Sequence, residues 1–308
     1  MTSSPQSLSV LILTHNEANH IERAIKSVRE IARDIFIVDS GSTDGTLEIA
    51  TSNGAHILRN PWTNYAQQFQ WGLDNAPIST DWVMRLDADE IIEDDLRAEL
   101  ADALQAAPPT VTGINLKRKH VFMGRWIKHG GRYPLVLLRV WRTGVGRIEQ
   151  RWMDEHMLLS EGQTITLNGG FSDHNLNDLT FFTDKHNKYA TREAVDIINQ
   201  RRKLFARDES LGEASVQATR KRAAKENFYN NLPFAIGPLC YFLYRYIIQR
   251  GFLDGVEGAI YHGLQGFWYR FLVDAKVVEL ERELKGVADP KLQTRRLAEL
   301  TGLKLPTT

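Results

Sequence analysis

The early chain alternates apolar runs of strand length with segments of helical spacing. Leu8–Leu13 (LSVLIL) is nearly continuous in apolar residues, as expected of a strand buried on both faces. It gives way to Thr14-His15-Asn16-Glu17, after which Ile21, Ala24, Ile25, Val28 and Ile31 keep helical spacing, with Asn19 placed to cap the helix. Ile35–Val38 predicts a second buried strand, ending at Asp39-Ser40-Gly41-Ser42-Thr43-Asp44-Gly45-Thr46. A short strand around His56–Leu58 and an aromatic segment from Trp62 to Trp71 follow. Trp82-Val83-Met84-Arg85-Leu86 then predicts a fourth strand, closed by Asp87-Ala88-Asp89-Glu90. Strands and helices alternating at this spacing predict an α/β fold with a parallel sheet.

Polar runs at three successive strand ends change this from a fold pattern into a site pattern. In open α/β sheets, ligands lie in the crevice beyond the carboxyl ends of the strands. Side chains alternate along a strand, so Asp87 and Asp89 are expected to point the same way. Two hard oxygen ligands suit Mg²⁺ or Mn²⁺, which commonly take one or two carboxylates and leave other positions to water and phosphate. Glycines after the second strand permit a tight turn close to a ligand, and the helix start beyond it offers N–H groups to an anion. No G-x-G-x-x-G follows the first strand, which excludes a dinucleotide-dehydrogenase reading. A Walker loop, an H-E-x-x-H and a G-x-S-x-G elbow are also absent.

The helix expected over Asp94–Ala106 is followed by a strongly basic stretch. Lys117, Arg118, Lys119, Arg125, Lys128, Arg132, Arg139, Arg142, Arg147 and Arg151 meet one acid, Glu149, before Asp154. Two readings stand: a solvated basic face, or bases that hold a phosphate-bearing ligand. Leu135–Trp141 predicts a further core strand. Trp152-Met153-Asp154-Glu155-His156 is a second dense cluster, in which a carboxylate suits the role of proton acceptor. His156 is open to three roles: metal ligand, orienting donor or packed imidazole. Glu161-Gly162 predicts a hairpin turn before a half-buried strand over Gln163–Leu167.

Beyond Asp178 the pattern is helical, and the tract from Phe228 to Phe271 is rich in Phe, Tyr and Trp. Pro233, Pro238, Arg245, Arg250, Asp254 and Glu257 interrupt that tract, so it makes a poor spanning helix. It fits either an interfacial element on an anionic membrane or a second helical core. Composition narrows the classes further. Hydrophobic content of 43% and charged content of 25% are ordinary globular values. A net charge of zero argues against binding nucleic acid through a basic surface. The single Cys240 excludes an internal disulfide framework and fits a reducing cytosol. Met1–Ser7 are small and polar, so no secretory leader is expected.

These motifs together resemble glycosyltransferase family 2, with its GT-A fold. The likeness is carried by LSVLILTHNE (Leu8–Glu17), VDSGSTDGT (Val38–Thr46) and WVMRLDADE (Trp82–Glu90). GRWIKHGGRYP (Gly124–Pro134) and GFLDG (Gly251–Gly255) are similar to stretches in bacterial enzymes that build lipopolysaccharide core or exopolysaccharide. The resemblance implies a Rossmann-like, mostly parallel sheet flanked by helices over residues 1–226. Residues 227–308 would form a helical, aromatic-rich C-terminal extension. It implies that Thr14, Asn16, Glu17, Asp39 and Ser40 line the nucleotide-sugar site, Asp39 near the base. Asp87 would contact ribose or metal, Asp89 would hold the Mg²⁺ or Mn²⁺, and His156 is the further metal candidate. Asp154 or Glu155 would be the catalytic base.

The implied reaction is inverting transfer of a sugar from a nucleotide diphosphate, most often UDP, to a lipid-linked, lipopolysaccharide or exopolysaccharide acceptor. It would take place in the cytoplasm, on the inner face of the membrane. Two other classes compete. A sugar-1-phosphate nucleotidyltransferase would want a glycine-rich basic loop after the first strand, where this chain has the acidic Thr14–Glu17. A non-catalytic nucleotide- or glycan-binding module would not need Asp154 and Glu155 beside Asp87 and Asp89.

Overall fold

Strands with side chains buried on both faces need helices on both faces, and the computed structural model shows that arrangement. It describes residues 7–149, 156–205 and 234–306. The chain forms two compact units, Met1–Lys128 with Arg132–Leu176, and His129–Gly131 with Asn177–Thr308. The domain boundary expected between 226 and 227 lies outside the described residues.

In the first unit, β1 (Leu8–Thr14), β2 (Asp34–Asp39), β3 (His56–Arg59) and β4 (Trp82–Arg85) pair in parallel in the order β3-β2-β1-β4. Alternation sends Leu8, Val10, Ile12, Ile35, Ile37, Trp82 and Met84 to one core. There they meet Ile21, Ala24, Ile25 and Val28 of α1 (Ile21–Val28), Ala50 of α2 (Thr46–Ser52) and Leu96 and Leu100 of α4 (Asp94–Ala106). The intervening Leu11, Phe36, Val38 and Val83 face a second core with Ala66 and Phe69 of α3 (Tyr65–Asn75). Close approach of α3 requires Gly72, where a Cβ would stand 2.8 Å from Val38 and 2.9 Å from Leu11.

Beyond β4 the sheet becomes mixed. It continues through β8 (Leu135–Arg142), β6 (Val111–Phe122), β12 (Phe171–His174) and β5 (Glu90–Ile92). β8 runs antiparallel to β4 and β6, and β12 runs parallel to β6. β7 (Arg125–Ile127) and β11 (Gln163–Thr166) also pair with β6. A separate ribbon joins β9 (Gly146–Ile148) and β10 (Met157–Leu159).

Two local expectations need correcting. Residue 20, not Asn19, occupies the α1 cap position, and it makes no side-chain cap bond. The first turn is held instead by the Glu17 carbonyl, which accepts from His20 and Ile21 N–H at 2.9 Å each. Glu161-Gly162 is a turn but not a hairpin, because β11 leaves it to pair in parallel with β6.

The second unit is helical. Asp178 caps α5 (Leu179–Arg202) by accepting from Phe181 N–H. The chain resumes in α6 (Ile236–Leu243), a π-helical turn at Tyr244–Ile248, a 3₁₀ turn at Gly251–Asp254 and α7 (Gly255–Tyr261). A second π-helical segment (His262–Trp268), α8 (Tyr269–Glu283) and α9 (Pro290–Thr301) complete it. Its core joins Ala194, Val195 and Ile198 to Val277, Leu280, Leu284 and Leu297.

Candidate active site

The chain runs from β1 out to β2 and β3, then returns to place β4 on the other side of β1. The gap between β1 and β4 is therefore a topological switch point, the place where α/β sheets open a ligand crevice. Thr14–Glu17 and Asp87–Glu90 stand at the ends of the two strands that flank it.

The loops after β1 and β2 are laced together by the polar residues singled out in sequence. Asp39 is 1% exposed, so its carboxylate must find partners within the fold. Its Oδ2 accepts from Gly41 N–H at 2.8 Å and Ser42 N–H at 2.9 Å, while Oδ1 accepts from the Thr14 hydroxyl at 3.0 Å and from the Ser42 hydroxyl. Burial pushes its carboxyl up, but these bonds outweigh that and hold it below the ordinary range. Ser40 donates to the Thr14 carbonyl at 3.0 Å. Asn16, at a left-handed φ of 58°, accepts from Thr43 N–H at 2.8 Å, and its own N–H donates to the Ser42 hydroxyl at 2.9 Å. Glu17 N–H donates to Thr46 Oγ1 at 2.8 Å and Ala18 N–H to Asp44 at 3.0 Å.

β4 stops at Arg85, and Glu90 N–H closes a turn onto the Asp87 carbonyl at 2.9 Å. The strand alternation expected to align Asp87 with Asp89 therefore does not reach them, and their carboxylates meet different partners. Asp87 accepts from the Tyr65 hydroxyl, from Arg85 Nε at 3.5 Å and from Arg139 at 3.1 Å. Arg85 itself lies over the Tyr65 ring, 4.4 Å from its centroid. Burial pushes the Asp87 carboxyl up; Arg85, Arg139 and Tyr65 together outweigh it and hold it well below the usual range. Asp89 accepts from Asn175 Nδ2 at 2.9 Å, and its carbonyl accepts from His174 N–H at 2.9 Å.

Glu90 is 1% exposed and lies 2.5 Å from Arg139 and 3.5 Å from Arg118. Arg118 also reaches Asp173 at 3.6 Å, and Asp173 pairs with His120 at 3.1 Å. Burial pushes Glu90 up to about 7, opposed by Arg139 and reinforced by the Asp87 charge. Between the ordinary carboxylate range and pH 7 the folded chain thus holds a proton at Glu90 that the unfolded chain has released. Stability from this group is full below the ordinary carboxylate range and is lost progressively as pH rises from there to about 7. Asp39, Asp87 and Asp173 act oppositely, their contribution being lost as pH falls below the carboxylate range. Scanning fluorimetry should find the melting temperature highest in mildly acidic buffer. Glu90→Gln should flatten the decline between the carboxylate range and pH 7; an unchanged slope would show that Glu90 does not titrate there.

His174 and Asn175 escaped the sequence reading, although Asp173-His174-Asn175 is a fourth polar run at a strand end. Burial, with Arg23 and His20 nearby, lowers the His174 pKa, which favours the neutral, ligand-competent imidazole. His156 directly precedes β10, is exposed, and its carbonyl accepts from Glu149 N–H at 2.8 Å. Asp154 and Glu155 lie outside the described residues. Among the described residues no group of three or more His, Cys, Asp or Glu is placed to hold a metal ion. A carboxylate offers about four lone-pair sites. Asp87 spends three of them on Tyr65, Arg85 and Arg139, which leaves its carboxylate little capacity to coordinate a cation. A cation seated mainly by substrate phosphate needs few protein ligands, so Asp89 fits that role better than Asp87.

An open α/β sheet with its polar groups gathered at a strand-order switch defines the class. Residues 9–161 match the family model described as glycosyl transferase family 2, and the chain belongs to that family of transferases. An uncharacterized glycosyltransferase of Rickettsia bellii is 42% identical over 93 residues, 30% of this chain and 31% of that relative. The chain therefore matches only about a third of the first Rickettsia relatives. The lipopolysaccharide core biosynthesis glycosyltransferase LpsC of Rhizobium meliloti is 28% identical over 279 residues, covering 88% of this chain and 92% of the relative. Among solved structures, glucosyl-3-phosphoglycerate synthase from Mycobacterium tuberculosis, crystallised with Mn²⁺, UDP and glucosyl-3-phosphoglycerate, is 21% identical. It covers 37% of this chain and 44% of that one at a TM-score of 0.32.

Proposed function

We propose that the enzyme transfers a sugar, with inversion, from a nucleotide diphosphate to a hydroxyl of a lipopolysaccharide-type or other lipid-linked glycan. The donor is a UDP-sugar, and the reaction takes place on the cytoplasmic side of a membrane. The observation that carries the reading is the switch point between β1 and β4, flanked by Thr14–Glu17 and Asp87–Glu90. The similarity to LpsC over most of both chains supports the acceptor class. In this reading residues 1–226 form the catalytic region and 227–308 its helical extension.

The laced loops of Thr14, Asn16, Glu17, Asp39 and Ser40 shape the base and ribose end of the crevice. Asp89 would hold Mg²⁺ or Mn²⁺, with His156 as the further candidate ligand, and the bound ion would neutralise charge on the departing diphosphate. Asp87 fixes Arg85 and Arg139 at the crevice floor. Asp154 or Glu155 takes the proton from the acceptor hydroxyl as its oxygen attacks the sugar carbon and the bond to the diphosphate breaks. The centre passes through an oxocarbenium-like state.

Release of free nucleotide from a panel of nucleotide sugars, with Mn²⁺ and with chelator, tests the reaction. Turnover confined to sugar-1-phosphate plus nucleoside triphosphate would favour a nucleotidyltransferase, and binding without turnover a recognition module. Of Asp154→Asn and Glu155→Gln, the one that removes the base should lower kcat by roughly 10²- to 10³-fold with little change in donor affinity. Near wild-type rates in both would remove the base assignment.

A further inference from the structure

Residues 234–256 of the second unit are inside-out. Leu239, Leu243, Ile247, Ile248, Phe252 and Val256 are between 41% and 71% exposed, while Arg245 and Asp254 are 4% and 3% exposed. Arg250 is the sole charged residue exposed in this stretch, and no carboxylate is exposed there. Ile236, Leu239, Leu243 and Ile247 follow helical spacing, so they line one outward face. Water-facing helices show the opposite polarity.

The chain's own bonds hold this orientation. His129 grips Asp254 twice, through its backbone N–H at 2.8 Å and through Nδ1 at 2.6 Å. Arg245 donates to the Gly130 carbonyl at 2.7 Å and to Gln265 at 2.9 Å, and Gly130 N–H donates to the Gln249 carbonyl at 3.0 Å. Gly130 and Gly251 are required because a Cβ on either would collide with the His262 ring, at 2.2 Å and 2.6 Å respectively. Turning the stripe inward would break the Asp254 and Arg245 bonds that hold it. The stretch thus combines polar anchoring inside with apolar presentation outside.

We propose that this face is a membrane-docking surface lying in the headgroup–acyl boundary of an anionic bilayer. Isolated apolar residues on a surface need no explanation, but a continuous apolar face marks an interaction site. A protein partner would be met by a polar rim and roughly one hydrogen bond per 100–200 Å²; the exposed side chains here offer almost none. Their single charge is cationic and complements anionic lipid. No helix among the described residues is long and apolar enough to cross a membrane, so the face lies on the bilayer. The proposal rests on the second unit alone, and its failure would leave the transfer reading standing.

The test uses the full chain. Its single cysteine, Cys240, is exposed on this face and accepts a polarity-sensitive fluorophore. With phosphatidylcholine vesicles containing phosphatidylglycerol, labelled protein should float with the vesicles and its emission should shift to the blue. Ile247→Asp with Ile248→Asp should weaken partitioning by on the order of 10²-fold while donor turnover in detergent-free buffer stays unchanged. Arg250→Glu should remove the preference for phosphatidylglycerol over phosphatidylcholine alone. Wild-type protein that stays wholly in the soluble fraction, or undiminished binding by the double variant, would overturn the proposal. So would light scattering that shows a dimer lost in that variant, because the face would then be covered by a second copy.

Discussion

Asp89→Ala is expected to reduce metal-dependent sugar transfer by roughly 10³- to 10⁴-fold, about 4–5 kcal/mol of transition-state stabilisation. The carboxylate sits at the switch point between β1 and β4, and Asn175 fixes it from the neighbouring strand end at 2.9 Å. In the proposed mechanism it holds the divalent cation where negative charge gathers on the leaving diphosphate, so its loss is felt in kcat more than in nucleotide affinity. Melting temperature should fall less than on loss of Arg139, because Asp89 is only half-buried. Steady-state kinetics with Mn²⁺ titration check this. A variant retaining a tenth or more of wild-type kcat would move the cation seat elsewhere. Asn175→Ala should give a smaller loss, because it removes only the orienting bond.

Arg139→Met should have its largest effect on stability rather than on chemistry. Arg139 is 3% exposed and bonds Glu90 at 2.5 Å and Asp87 at 3.1 Å. Removing one member of a buried ionic group leaves uncompensated charge, which costs about 3–5 kcal/mol. For a chain of this size that corresponds to a fall in melting temperature of roughly 10 °C. Adding Glu90→Leu to the variant should recover part of the loss, because the stranded carboxylate is then gone. Calorimetry of the two single variants and the double variant measures the coupling. Strictly additive losses would show that Glu90 and Arg139 do not stabilise one another.

The parallel half of the sheet was legible because its signals are local. LSVLIL and IFIV are buried on two faces and read as continuous runs, and the Asp94–Ala106 helix carries its own spacing. The antiparallel half was harder. β8 was visible as an apolar strand, but its insertion between β4 and β6 is a long-range choice that no window of residues reports. The same limit applies to the site. Thr14, Asp39, Asp87 and Asp89 could be found as polar groups at strand ends, whereas their division of labour depends on residues distant in sequence. Arg139 and Tyr65 claim Asp87, and Asn175 claims Asp89. His156 stood in a conspicuous acidic cluster, whereas His174, whose backbone N–H bonds the Asp89 carbonyl, sat in a plainer context.

The bonds between Asn16 and Thr43, Glu17 and Thr46, and Ala18 and Asp44 carry a thermodynamic consequence for donor capture. A crevice wall assembled beforehand has little conformational freedom left to surrender when a ligand arrives. Calorimetry should accordingly give a small entropic penalty for the nucleotide moiety. Ser42→Ala and Thr46→Val should weaken capture by loosening the wall, because each removes a bond between the two loops.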